Sequence, residues 1–201
     1  MTSANISPSA DVSDQAIVQE GARIWHLAQV REQADIGQNV TVGRGAYIGT
    51  GVSIGDNCKI QNYALIYEPA RLGQGVFVGP AVVFTNDTYP RAVMPNGEQK
   101  SSTDWEAVGV TVDDGASIGA RAVCIAPVHI GRWATVAAGS VVTRDVPDFA
   151  LMVGVPARRV GWVGKDGRPL QNRDGVWVSE SSGERFVEVA DGTLVEEQVH
   201  G

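Results

Sequence analysis

One periodicity constrains this chain before anything else does. Every sixth residue from Ile6 reads Ile6, Val12, Val18, Ile24, Val30, Ile36, Val42, Ile48, Ile54, Ile60, Ile66, Leu72, Val78 and Phe84, and none of the fourteen is polar. A second run follows in shifted phase: Val112, Ile118, Cys124, Ile130, Val136 and Val142. Two residues before the aliphatic position a small residue recurs, as at Ala22, Ala28, Ala34, Cys58, Ala64 and Ala122. Directly after it glycine is frequent, as at Gly37, Gly43, Gly79 and Gly119. Such a hexad describes a short strand with an inward aliphatic, followed by a sharp corner. Glycine is expected to ease that corner through its wide range of dihedrals. A six-residue period matches neither an α-helix nor a coiled coil. Six residues per wall and three walls per coil make a triangular prism. Twenty hexads give a little under seven coils, about 30 Å tall at roughly 4.8 Å between stacked strands. The predicted fold class is therefore all-β, a parallel β-helix.

The hexad breaks between Asn86 and about Val108, where Pro90, Pro95, Asn96 and Gly97 are loop formers. A loop of that length inside a repeat is uncommon and usually functional, so residues 87–108 are expected to protrude. The prism is assigned to residues 1–163 and a separate unit to 164–201. Within the latter, Gly164–Leu170 and Ser179–Phe186 resemble the paired knuckles of a zinc ribbon whose cysteines have been replaced. Without thiolates no zinc is expected there. Hairpins are expected around Asp174-Gly175 and Asp191-Gly192.

Composition excludes several classes. The net charge is −7 and no basic run stands out, which disfavours nucleic-acid binding because phosphate neutralisation needs clustered cations. No apolar run approaches the roughly 20 residues of a membrane span. The first ten residues lack a charged start followed by an apolar stretch, so no secretory signal is expected. The two cysteines, Cys58 and Cys124, fall on inward positions of the hexad. Reduced core thiols in a cytoplasmic protein are the expectation.

The segment Ala138–Pro147, ending in Gly154-Val155-Pro156-Ala157-Arg158, resembles the terminal coil of hexapeptide-repeat acyltransferases. With Arg23-Ile24-Trp25-His26, Gln61-Asn62, Tyr67-Glu68, Gly79-Pro80 and Phe84-Thr85-Asn86, the chain is similar to the N-acetyltransferases of sugar nucleotides. These include the UDP-2-acetamido-3-amino-2,3-dideoxy-glucuronate and dTDP-3-amino-sugar enzymes. Asp87 and Tyr89 look more like the dTDP-sugar branch, and Gln29 stands where the family often has a second histidine. The resemblance covers about residues 5–163. It implies a left-handed β-helix, acetyl-coenzyme A as cosubstrate, no metal, and a homotrimer with sites between chains. The acceptor it implies is the amino group, at C3, of a UDP- or dTDP-linked sugar.

The same resemblance places Asn86 beside the sugar amine, where its amide oxygen accepts a hydrogen bond. His129 is the alternative catalytic group: it precedes the inward Ile130 and is turned outward by strand alternation. His26, Tyr67, Glu68, Asp87, Tyr89 and Arg91 are the candidate substrate contacts. Arg144, Arg158 and Arg159, near the end of the terminal coil, are candidates for the coenzyme phosphates. Gly119, Ala120, Ala138, Gly139 and Ser140 would let the pantetheine arm lie close to the backbone. Trp105, Trp133, Trp162 and Trp177 are assigned to packing, and His200 to no role. Two other readings stand beside this one: O-acetylation of a sugar or small-molecule hydroxyl, which calls for a histidine base, and a non-catalytic scaffold.

Overall fold

The computed structural model describes residues 3–190 and 192–197, so Asp191 and His200 lie outside the described residues. Among the described residues there are strands, turns and loops and no helix. Strands of two or three residues run from Asn5–Ile6 to Val141–Val142, and each pairs in parallel with the strand one coil away. Wall A stacks the strands from Asn5–Ile6 to Thr135–Val136. Wall B stacks those from Asp11–Val12 to Val141–Val142, and wall C those from Ile17–Val18 to Val128–Ile130. The prism is closed above by an antiparallel hairpin, Ala150–Gly154 with Ala157–Trp162, which continues wall A.

The hexad explains the core. The sixth-residue aliphatics from Ile24 to Phe84 and from Val112 to Val142 are all buried, as are Cys58 and Cys124. Burying each such side chain contributes on the order of 1.5–3 kcal/mol relative to exposure. Backbone ladders bind each coil to the next, as where Arg23 N–H donates to Val40 O at 2.8 Å. The first coil departs from the expectation. Ile6 is 42% exposed, and Val12 and Val18 are only half-buried, because among the described residues no coil lies beneath them.

The corner glycines also need a different explanation from the one expected. Gly43 and Gly119 do not adopt positive φ; that conformation falls two residues later, at Gly45 (φ 62°) and Arg121 (φ 58°). What Gly43 and Gly119 provide is absence of bulk. A Cβ on Gly43 would stand 2.6 Å from Asn62 N, and one on Gly119 2.4 Å from Ala138 N. Stacked coils approach too closely there for any side chain.

The prism is interrupted between Phe84 and Val110, where the loop leaves and returns at one corner, closed by Val108 N–H donating to Asn86 O at 3.0 Å. Beyond the prism lies a four-stranded antiparallel sheet, Gln171–Arg173, Val176–Val178, Arg185–Glu188 and Leu194–Glu196, larger than isolated hairpins. It packs Phe186 against Phe149, ring centroids 5.1 Å apart. The two knuckles beside it are tied by polar contacts, Ser181 hydroxyl to Asp166 carboxylate and Lys165 to Glu184 at 3.0 Å, while Ser179 meets Ser181 at 3.1 Å within the second.

Candidate functional site

The 18-residue coil lines up residues along the edges of the prism. Edge AB, where wall A turns into wall B, carries His26, Arg44, Asn62, Pro80, Ala120 and Ala138 one above the next, joined by bonds such as Tyr63 N–H to Arg44 O and Gly139 N–H to Ala120 O. Edge BC carries Glu32, Thr50, Glu68, Asn86, Ala126 and Arg144 in the same way, by the register Leu65↔Val83, Phe84↔Cys124 and Cys124↔Val142. The candidate residues therefore divide. His26, Gly119, Ala120, Ala138 and Gly139 share edge AB, whereas Tyr67, Glu68, Asn86, Asp87 and Arg144 share edge BC.

On edge BC, Glu68 and Asn86 occupy successive rungs at the root of the loop. The Glu68 Oε2 atom is buried and has no hydrogen-bond partner, a state shared among the described residues only by Asp35 Oδ1. A buried carboxylate oxygen without a donor is costly. It has room because Gly49 lies below it: a Cβ there would come within 2.2 Å of Oε2. Tyr67 packs on Tyr47 with ring centroids 5.1 Å apart. Burial, followed by the nearby Glu68 carboxylate, raises the Tyr47 phenol above its ordinary value. Asp87 is held in the loop, accepting from Tyr89 N–H at 2.8 Å and standing 3.6 Å from Lys100 Nζ. Tyr89 is 81% exposed, and the Arg91 guanidinium donates to the neighbouring Pro90 O at 2.9 Å.

Edge AB has two halves. From Gly79 upward it is a track of Gly79-Pro80, Gly119-Ala120 and Ala138-Gly139, with nothing within 4 Å of a Cβ placed on Gly139. Below, it carries the exposed Trp25, with His26 beside it at a centroid separation of 6.3 Å. Ser140 is buried, and its hydroxyl accepts from Gly154 N–H at 3.1 Å, anchoring the closing hairpin.

The three candidate arginines do not form one cluster on the chain. Arg144 is on edge BC and has no ion pair among the described residues. Arg158 and Arg159 are on the last strand of wall A. Arg159 is already engaged, 2.8 Å from Glu188 and stacked 4.1 Å from the Trp162 ring centroid. Arg158 donates to Ala157 O.

His129 lies on wall C, opposite Thr111 in register and half-exposed, with Nε2 2.8 Å from Asp113 Oδ2. Asp113 was not singled out by the sequence, because it becomes a partner only across the coil. Among the described residues no three His, Cys, Asp or Glu side chains gather as a metal site. Trp162 is buried, and Trp133 and Trp177 pack on the core.

Wall B holds another feature that the hexad count passed over. Its outward residues from Tyr47 upward are Tyr47, Leu65, Val83, Val123 and Val141, stacked in register. The outward residues of wall A are mostly polar (Arg23, Thr41, Lys59, Ser117, Thr135), as are those of wall C from Asp35 to His129. Reading the outward position every 18 residues, with the insertion subtracted, would have found this stripe.

Comparison with known proteins agrees with this architecture. The repeat family described as the hexapeptide repeat of succinyl-transferase matches residues 33–63 and 109–144. The bacterial transferase hexapeptide (six repeats) matches residues 51–86. A dTDP-3-amino-3,6-dideoxy-alpha-D-galactopyranose 3-N-acetyltransferase of Aneurinibacillus thermoaerophilus is 58% identical over 59 residues, 29% of this chain and 31% of that protein. The serine acetyltransferase of Salmonella typhimurium is 33% identical over 118 residues, 54% of this chain and 42% of that protein. The matches thus span less than half of these curated relatives. Among solved structures, a hexapeptide-repeat acetyltransferase of Vibrio cholerae in complex with acetyl-coenzyme A has a TM-score of 0.56 at 24% identity, covering 70% of this chain and 72% of that one. The N-acyltransferase AntD of Bacillus cereus, in complex with dTDP and coenzyme A, has a TM-score of 0.50 at 20% identity, covering 81% of this chain and 83% of that one. These two likenesses are of fold.

Proposed function

Starting from a chain built of bacterial-transferase hexapeptide repeats, we propose that this protein is an acetyl-coenzyme A-dependent N-acetyltransferase. Its acceptor is the amino group, at C3, of a UDP- or dTDP-linked amino sugar. The observation that carries this reading is the step from Glu68 to Asn86 on edge BC. The Glu68 carboxylate, whose Oε2 atom is buried against Gly49, lies one rung below the Asn86 amide. A primary amine has two N–H groups and can donate to both side chains while its lone pair points away, whereas a hydroxyl has one. The relative matching at 58% identity, which acts on a dTDP-3-amino sugar, supports the same acceptor class.

In the reaction the nitrogen lone pair attacks the thioester carbonyl carbon. The C–N bond forms, the C–S bond breaks, and the electron pair leaves on sulfur. The proton shed by nitrogen neutralises the coenzyme thiolate. Placement of a neutral amine supplies most of the acceleration, and Asn86 with Glu68 does the placing. The small residues of edge AB leave room for the pantetheine arm, with Arg144 and Arg158 as phosphate contacts. Arg159 serves that role only by leaving Glu188.

The enzyme works as a homotrimer. The apolar stripe on wall B is its natural buried face, since it removes Leu65, Val83, Val123 and Val141 from water. With wall B toward a three-fold axis, edge AB of each chain adjoins edge BC of the next. The two halves of the candidate site then meet in one cleft, with the loop at residues 87–108 reaching the neighbour. Residues 1–163 carry the chemistry, and the antiparallel sheet from Gln171–Arg173 to Leu194–Glu196 packs onto the end of the prism. The reduced core thiols suit a cytoplasmic enzyme.

A second reading, O-acetylation with His129 as base, is favoured by the His129–Asp113 contact, which could orient an imidazole for proton abstraction. Free-thiol release from acetyl-coenzyme A, measured with UDP- and dTDP-linked 3-amino sugars against their 3-hydroxy counterparts, decides between the two. Turnover confined to the hydroxy sugars sinks the amine reading.

A further inference from the structure

The lower half of edge AB is unlike the upper half and has no role in the chemistry above. Trp25 is 48% exposed. A hollow of about 250 Å³ lies on one side, bounded by Ser7, Arg23 and His26. Another of about 360 Å³ lies on the other, bounded by Thr41, Arg44, Gln61 and Asn62. In the stack of coils Gly43 stands directly above Trp25 and Ser7 directly below, so no large side chain from either neighbouring coil covers the indole. Arg23 and Arg44 make no ion pair among the described residues, in a chain whose net charge is −7. A half-exposed indole with His26 stacked beside it and two unpaired cations flanking it is suited to a planar ring that carries phosphate.

We infer that Trp25 is the stacking platform for the nucleotide base and that Arg44 meets the diphosphate. This inference rests on the proposed acetyltransferase reading and deepens it. The order of groups along the edge matches the order within a nucleotide sugar. Climbing from Trp25, the next rung presents Arg44 and the one above it Asn62. In the proposed trimer the adjoining edge BC presents Glu68 and Asn86 at about that height and just above. Trp25 lies 43 residues before Glu68 and 61 before Asn86, or between two and four 18-residue coils. At roughly 4.8 Å per rung the midpoint is about 14 Å away along the prism. A base stacked on Trp25 is thus separated from the reacting amine by a ribose, a diphosphate and one sugar ring. Coenzyme A, on the upper half of the same edge, does not compete for this place.

The test titrates UDP, dTDP and, as a purine control, GDP into the full-length protein, following binding by calorimetry. Trp25→Ala weakens binding of the pyrimidine diphosphates about tenfold or more, the loss of one base–aromatic stack. Trp25→Phe restores most of it, and coenzyme A binds all three proteins alike. In turnover, Trp25→Ala raises KM for the nucleotide sugar and leaves kcat within about twofold, since the stack is remote from the reacting atoms. Unchanged nucleotide affinity in Trp25→Ala, with wild type active on a nucleotide sugar, overturns this inference and leaves the acetyltransferase reading standing. Equal loss of coenzyme A binding, or dissociation of the oligomer in light scattering, makes Trp25 a structural contact and also overturns it. A wild-type protein that binds neither UDP nor dTDP and acetylates no nucleotide sugar ends both.

Discussion

Edges AB and BC bound the same apolar wall and are built from the same coil, yet their side chains differ. Above Gln61 edge AB carries mostly small residues, Gly79, Pro80, Gly119, Ala120, Ala138 and Gly139, with Arg121 the large side chain among them, and the space around Gly139 is open. Edge BC spends the same positions on Tyr67, Glu68 and Asn86 and opens into the loop. In the proposed reaction one edge is the track for a flexible arm, and the other supplies fixed polar groups. Neither suffices for a transfer reaction, in which an acyl donor must be laid against a nucleophile. The contrast teaches that, under the proposed function, the functional unit is a pair of unlike edges. A triangular prism presents such a pair across one cleft when the wall between them faces a three-fold axis.

The largest expected effect tests edge BC. Asn86→Ala lowers kcat on the order of 100-fold, the cost of a misplaced nucleophile, while acetyl-coenzyme A still binds by calorimetry. His129→Ala, on wall C, costs a few-fold at most. The reverse ranking would move the chemistry off edge BC and onto a histidine base.

Next comes edge AB. Ala138 is exposed, so Ala138→Trp folds normally and blocks the track, raising KM for acetyl-coenzyme A about tenfold or more, at 1.4 kcal/mol per decade. Mixing this variant with Asn86→Ala sharpens the comparison. If each cleft takes one edge from each of two chains, a 1:1 mixture reassembled into trimers regains up to about a quarter of the wild-type clefts. No recovery after confirmed subunit exchange would place both edges' functions within one chain.

Arg144→Ala is a smaller perturbation. Loss of one charge-assisted phosphate contact costs roughly 1–3 kcal/mol, read as a higher KM for acetyl-coenzyme A with less change for the sugar. Equal shifts in both would remove Arg144 from the coenzyme.

The smallest effect concerns the core that both edges share. Burial pushes the Cys58 thiol up to about 11 and Cys124 up to about 12. A thiol whose folded value is raised favours the folded protein less as pH rises. The stability it contributes is fully present below its unfolded value near 9 and is lost as pH climbs through 9 to 12. Chemical denaturation midpoints should fall over that range, and less so for a Cys58→Ser, Cys124→Ala double variant. Neither thiol should react with an aromatic disulfide reagent at neutral pH before unfolding. Rapid labelling of the folded protein would contradict the burial.

The prism was legible because its rule is local and repeats. A strand of two residues, one inward and one outward, is specified by the hexad itself, and the 18-residue coil then assigns every residue to a wall or an edge. The loop was legible for the same reason, as the place where the rule lapses. Glu68 and Asn86, 18 residues apart, were already committed to one edge. The glycine that often follows the aliphatic was visible, but its cause was not. Its missing Cβ answers to a backbone one coil away, and the positive φ expected of it falls two residues later.

What the amino-acid order alone determined, then, is the period, the inward column, the register of the two edges and the position of the interruption. All of these follow from nearest-neighbour stacking, in which each coil meets only the next. Only the tertiary structure decided which charges are occupied and which surfaces are open. Arg159 is taken by Glu188, 29 residues away in the non-repeating sheet. His129 is met by Asp113, while Trp25 keeps its indole in solvent. These outcomes depend on side-chain reach and on how the last sheet docks, neither of which a six-residue rule encodes.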